Sequence, residues 1–236
     1  MPTTTRLITT AVCVLALAGC GAGGSDDPAT TTAPPVAQPT TPAPDPTTSA
    51  PSAPSTVPAE VLLADAAWAP VTGTRQESEG ITDWLLPESC AAGIASTAAA
   101  MRTVTIGDGQ EEAQVGVQQV ALFPDADAAV AEADRVAAVL AGCAATPGTE
   151  TTYVVEPLAV GAQGLGLATD YYGSSAEGTV DDGALGSYLA LTRRGTALTL
   201  VGLQGGESTI GVARESVTAH TQAAWDLLCG YDSAGC

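Results

Sequence analysis

The sequence predicts an α+β domain: one mainly antiparallel sheet flanked by helices and stapled by disulfides. Three observations predict it. Two pairs of alternating apolar runs, over 102–123 and 185–203, are each joined by a glycine-bearing turn. A stretch of helical spacing follows each pair, over 125–143 and 209–229. Four cysteines, Cys90, Cys143, Cys229 and Cys236, lie ahead of, within and just beyond this region. Hairpins followed by helices bury their apolar faces by packing helices on an antiparallel sheet. No internal repeat is evident.

In chain order, Ser55 or Thr56 can cap a helix with Pro58 in its first turn and Leu62, Leu63, Ala66 and Ala67 as its buried stripe; Pro70 and Gly73 end it. Trp84, Leu85 and Leu86 lead into a short Ala-rich helical stretch, roughly Cys90 to Ala100. Arg102 to Ile106 and Gln114 to Phe123 read as a hairpin turned by Gly107-Asp108-Gly109. Val115, Val117, Gln119 and Ala121 fall on one face of the second strand, and Gln118, Val120 and Leu122 on the other. Phe123-Pro124-Asp125 then switches the period. Asp125 caps a helix, Asp127 complements its dipole, and Val130, Ala133, Ala137 and Leu140 make its stripe, with Val136 beside them. Pro147-Gly148 breaks the chain after Cys143. Tyr153 to Pro157 and Leu167 to Tyr172 are short strands. Leu185 to Arg193 and Thr196 to Leu203 form the clearest hairpin, turned at Arg194-Gly195. The last helix runs from about Thr209 to Cys229 with Val217, Thr221, Ala224 and Leu228 inward.

The N-terminus reads as an export signal. Arg6 is followed by the apolar run Leu7 to Ala18, which is far shorter than the roughly 20 residues of a permanent transmembrane helix. Leu17-Ala18-Gly19-Cys20, with Gly21 after it, resembles the lipobox of bacterial lipoproteins. That resemblance implies cleavage before Cys20 and a diacylglycerol on its thiol, so that residues 1–19 are a signal peptide and Cys20 holds the chain on the membrane. Residues 20–58 are a Thr/Pro/Ala-rich tether carrying 10 of the 16 prolines, too poor in large apolar residues to offset its ordering entropy. At ~3.1 Å per residue it reaches on the order of 100 Å. Residues 59–236 then form the domain.

An exported domain with four cysteines points to two disulfides, with three connectivities open. The expected pairing is Cys90–Cys143 and Cys229–Cys236; closing these loops contributes roughly 4 and about 2.5 kcal/mol in chain-entropy terms. A zinc site lacks its ligand spacing here.

The chain carries 26 acidic residues and seven basic ones, all arginine, for a net charge of −19. Loss of Arg6 lowers that further. Such a surface repels nucleic acid and anionic headgroups. The lysine-free, Ala/Gly/Thr/Val-rich composition fits a high-GC actinobacterial source.

Catalytic chemistry has little to stand on. His220 is the sole histidine, on the last helix, and reads as a partly buried, hydrogen-bonded residue rather than a general base. Gly173-Ser174-Ser175 is not a nucleophile elbow. Gly161-Ala162-Gln163-Gly164-Leu165-Gly166 lacks dinucleotide-loop order and reads as a flexible loop. Asp181-Asp182-Gly183 lacks a calcium-ligand series and reads as an acidic turn. Tyr171-Tyr172 with the Gly173 to Gly183 loop can line a binding groove, although adjacent strand tyrosines commonly place one ring inside and one outside.

The strand Val115 to Phe123 running into Pro124-Asp125 and an Ala-rich helix ending in Cys143, Cys90 as that cysteine's partner, and the Arg193-Arg194-Gly195 turn before an apolar strand resemble the extracellular sensor domain of mycobacterial PknH-type Ser/Thr kinases and their stand-alone lipoprotein relatives. The resemblance spans most of residues 60–229. It implies a sheet flanked by helices with a groove for an unidentified ligand. The chain departs from it in having a cysteine pair at its C-terminus and no kinase domain. The expectation is therefore a non-enzymatic envelope lipoprotein without cofactor or metal, held on the outer face of the membrane by Cys20. Its sensor-like domain binds an unidentified ligand or protein through residues the sequence does not place. A hydrolase using His220 or acids among Asp170, Asp181 and Asp182, and a purely structural lipoprotein, are the alternatives.

Overall fold

The structure, a computed structural model, describes residues 53–90, 93–107, 113–145, 150–175, 178–232 and 236. Cys20, the signal segment, most of the tether, Asp108-Gly109 and Pro147-Gly148 lie outside them. The strands are β1 (Arg75–Glu79), β2 (Asp83–Trp84), β3 (Ile94–Ala95), β4 (Ala100–Ile106), β5 (Val115–Leu122), β6 (Thr152–Pro157), β7 (Ala162–Asp170), β8 (Gly186–Arg194) and β9 (Ala197–Gln204); the helices are α1 (Ala126–Ala145) and α2 (Ile210–Leu227). Seven strands form one antiparallel sheet in the order β1-β4-β5-β9-β8-β7-β6, and β2 and β3 pair separately. This is the α+β class read from the sequence.

Both faces of the sheet are covered. The alternation along β5 divides the core as expected. Val120 and Leu122 join Ala190, Val201, Ile210, Ala213 and Val217 beneath α2, whereas Val117 and Ala121 join Leu167, Leu189, Leu198 and Leu200 beneath α1. The segment Val61–Leu63 with Trp68 completes the α2 side, and Trp84 completes the α1 side.

The expected Asp125 cap forms, and Thr209 caps the second long helix. The Asp125 carboxylate accepts the Ala128 amide at 2.8 Å, and the Thr209 hydroxyl accepts that of Val212 at 3.4 Å. The stripe of α2 is Ile210, Ala213, Val217, Thr221 and Ala224, continued by Leu228 in a 3-10 turn. On α1 the stripe is set one residue off the expected line: Ala129, Glu132, Ala133, Val136, Leu140 and Cys143 are buried, while Val130 and Ala137 are half-buried.

Four expectations are corrected. The helix after Pro58 is two 3-10 turns, Ala59–Val61 and Asp65–Trp68, without a side-chain cap from Ser55 or Thr56. Between them the backbone is extended, because the buried Gln118 amide accepts from Leu63 N at 2.8 Å and donates to Val61 O at 3.4 Å, replacing helical bonds. Ala66 is consequently exposed. No helix forms among the described residues of 90–100; Ile94–Ala95 pairs with Asp83–Trp84 instead, and Thr97 bonds to Glu132 on α1. The stretch 162–166 is strand rather than loop, with a register irregularity between Ala162 and Leu165, so β7 ends at Asp170 and leaves Tyr171-Tyr172 beyond it. Arg194 pairs with Ala197, which makes Gly195-Thr196 the two-residue turn; Gly195 sits at φ 51°, where a side chain is disfavoured.

Nothing in the patterning points to β1, whose residues RQESE do not alternate. It is an edge strand held by charge: Arg102 on β4 reaches Glu77 at 2.7 Å and Glu79 at 3.3 Å. A charged edge discourages pairing with a further strand.

Candidate functional site

One end of the sheet gathers the candidate residues. There β7 ends, β8 begins, α2 begins, and the chain between β7 and β8 is fastened at several points. Asp170 is buried and accepts the amides of Tyr172, at 3.0 Å, and of Ser175. Burial pushes its carboxyl up, but these amides, the Ser175 hydroxyl and the Gly173 amide more than offset that and hold it below the usual carboxylate range. The Ser175 hydroxyl accepts Asp181 N at 3.1 Å, and Asp181 accepts Gly183 N at 2.9 Å. Asp182 accepts Gly211 N through its carbonyl and pairs with Arg214 through its carboxylate. The three acids raised as possible catalysts therefore each fasten this segment.

Beside its exposed acids the segment presents apolar surface. Tyr171 is half-buried, with its hydroxyl accepting Gly205 N at 3.2 Å, whereas the neighbouring Tyr172 is 72% exposed. Leu185, whose carbonyl accepts Tyr171 N, and Val212, in the first turn of α2, are also exposed. An exposed aromatic on a fastened loop loses little conformational freedom on binding.

Behind the loop lies a polar cluster the sequence did not reveal. The buried Tyr188 hydroxyl donates to Glu156 at 2.7 Å, and Arg214 pairs with Glu156 at 2.7 Å and stands 5.7 Å from the Tyr188 ring. Burial and the Glu156 charge push the Tyr188 hydroxyl well above its usual value, with Arg214 opposing. Arg214 is itself raised: burial lowers it, and Glu156 and Asp182 outweigh burial. Gly166 permits this packing, since a Cβ there would overlap the Tyr188 hydroxyl.

On the opposite face, Glu132 is buried in the α1 stripe and accepts from Trp84 Nε1 at 2.7 Å, Thr97 Oγ1 at 2.8 Å and Arg135 at 2.7 Å. A glutamate among Ala129, Ala133 and Val136 was a legible signal that a buried polar anchor sits there.

His220 is not gathered with the acids. It lies six residues, about 9 Å along the helix, beyond Arg214. Its ring stands 5.2 Å from that of Trp68, and its Nδ1 is buried without a hydrogen-bond partner among the described residues. Burial lowers its pKa, opposed by a backbone hydrogen bond at Ala67.

Cys90 and Cys143 form a disulfide with Cα atoms 5.1 Å apart, and Cys229 and Cys236 form a second at 5.9 Å. Among the described residues, no group of three or more His, Cys, Asp or Glu side chains is arranged to hold a metal ion, and no helix is long and apolar enough to cross a membrane.

No protein-family model matches the chain, and no curated protein matches it. Among solved structures, the extracellular domain of PknH from Mycobacterium tuberculosis is similar, at 14% identity and a TM-score of 0.44, over 70% of this chain and 93% of that one.

Proposed function

We propose that this chain is a non-catalytic, sensor-like recognition module of an actinobacterial envelope, tethered to the outer face of the membrane by a lipid on Cys20, and that residues 171–175 and 178–185 with the first turn of α2 form its binding surface. The signal-like segment and the Leu17-Ala18-Gly19-Cys20 sequence support the location. The two disulfides fit an oxidising compartment. The observation that carries the binding reading is the contrast within one segment: Asp170, Asp181 and Asp182 are all spent on fastening the loop, and Tyr172 is left projecting from it.

The test is native mass spectrometry of the mature chain exported from an actinobacterial host. The expected result is a co-purifying mass that leaves on denaturation and is lost in Tyr172→Ala, with near-ultraviolet circular dichroism unchanged. A bound mass retained by that variant would move the surface elsewhere. Turnover of ester, amide or glycoside substrates that disappears in His220→Ala would replace this reading with the hydrolase.

A further inference from the structure

We propose that the Cys229–Cys236 disulfide is a thiol-exchange site, activated by Arg194, that takes a low-molecular-weight thiol as its substrate. Arg194 ends β8 and is 2% exposed, with its guanidinium carbon 3.4 Å from the centre of the Trp225 ring. Its Nη1 contacts Cys229 Sγ and Cys236 Sγ, and its Nε has no hydrogen-bond partner among the described residues. The charges of Asp226 and Asp232 act on it as well, but the atoms that Nη1 touches are sulfur. A guanidinium contributes nothing to a neutral disulfide and a great deal to a thiolate, because it stabilises the anion formed when the bond opens. Access is asymmetric: Cys236 is exposed and Cys229 half-buried. The other pair contrasts with this, since Cys143 is buried on the core face of α1 and its Sγ lies against the Val139 carbonyl.

The asymmetry sets the order of events. An external thiolate attacks Cys236 Sγ; a mixed disulfide forms there as the Cys229–Cys236 bond breaks, and the electron pair leaves on Cys229 as a thiolate facing Arg194. A second thiolate then attacks the external sulfur of the mixed disulfide. This releases the oxidised external disulfide, and Cys236 leaves as a thiolate that takes a proton from water. Two thiols are oxidised to one disulfide, and the protein disulfide is reduced to two thiols.

The experiment exposes the full oxidised chain to reduced glutathione at pH 7, quenches with iodoacetamide and maps the labelled peptides. Cys229 and Cys236 are expected to open at least roughly tenfold faster than Cys90 and Cys143, with a glutathione adduct on Cys236. Equal rates, or Cys90–Cys143 opening first, would overturn the proposal. In the reduced chain, alkylation of Cys229 against pH is expected to show a midpoint below the ordinary thiol value of about 8.5. Arg194→Gln raises that midpoint and slows exchange roughly three- to tenfold, and Arg194→Lys restores both in large part. Rapid exchange with an ordinary midpoint in the wild type would mean exposure alone makes the bond labile and would sink the role of Arg194, whether or not the variants fold.

Discussion

Replacing Glu132 by Gln tests the polar anchor on the α1 face. The Glu132 side chain is 1% exposed, and its two oxygens take the Trp84 indole, the Thr97 hydroxyl and the Arg135 guanidinium. A glutamine keeps the shape but turns one acceptor into a donor. Whichever way the amide is placed, it meets N–H groups of Arg135, with Trp84 Nε1 on one side and the Thr97 hydroxyl on the other. Arg135 is 38% exposed and can recover hydration, so its loss is discounted. The amide nitrogen is best placed toward Thr97, whose exposed hydroxyl can turn to accept it, so the cost is the lost charge assistance to Trp84 and Arg135, about 2 kcal/mol. With a urea dependence of about 2 kcal/mol per molar, the midpoint falls by about 1 M. The pH dependence is a second readout. Burial pushes the Glu132 carboxyl up, but Arg135, Trp84 and Thr97 more than offset this, so its folded pKa lies below the unfolded one. Its stabilisation is complete above the unfolded value of about 4.3 and is lost as pH falls through the folded value. Urea titrations at pH 7 and pH 3 should therefore show the variant's deficit narrowing at the lower pH. A midpoint shift below about 0.3 M at pH 7, or a deficit that stays constant down to pH 3, would refute this account of the anchor.

His220 has a folded pKa lowered by burial, so its neutral form favours the fold; that stability is present above about pH 6.5 and lost as pH falls through the folded value, and His220→Gln should flatten the urea midpoint between pH 7.5 and 5.5. Asp170→Asn removes the charge that two loop amides point at, and hydrogen exchange at Tyr172 and Ser175 should quicken about tenfold, in keeping with about 1.5 kcal/mol. Paired Cys→Ser changes should cost about 4 kcal/mol at Cys90/Cys143 and about 2.5 at Cys229/Cys236; urea unfolding that shows the reverse order would set aside the loop-entropy account of the two bridges.

Much of the fold was legible because alternation and helical spacing mark residues that face a core. Val115 to Leu122, both strands of the 186–204 hairpin and the α2 stripe follow from that patterning, as does the Asp125 cap. What escaped is what tertiary partners decide. The run from Val61 to Leu63 has helical composition, yet Gln118, 55 residues from Leu63, supplies the hydrogen bonds that keep it extended. The Ala-rich stretch after Cys90 is claimed by pairing with Asp83–Trp84. At the candidate surface the tyrosine pair was visible, with one ring tucked in and one out, but not the cluster behind it. Glu156, Tyr188 and Arg214 come from three separate elements with no shared spacing.

The charge balance makes the positions of the arginines informative. With 26 acidic residues against seven arginines and no lysine, a carboxylate is the partner most readily available to any guanidinium in this chain. Arg75, Arg102, Arg135 and Arg214 follow that statistic and bind Asp or Glu, where they stabilise an edge strand, a helix anchor and the floor of the loop. Arg194 is buried more deeply than any of them and yet rests on an indole and two sulfur atoms. Burying a cation is costly unless something nearby repays it; the charges of Asp226 and Asp232 repay part of that cost and burial outweighs them, while a ring or a closed disulfide repays less than a paired carboxylate would. Opening the disulfide is the event that supplies an anion at that spot. A guanidinium placed for stability would cost the oxidised chain stability when exchanged for a neutral side chain of similar shape, so Arg194→Met separates the two roles. If the charge serves the sulfurs, this variant retains or gains stability in the oxidised chain while exchange with thiols slows.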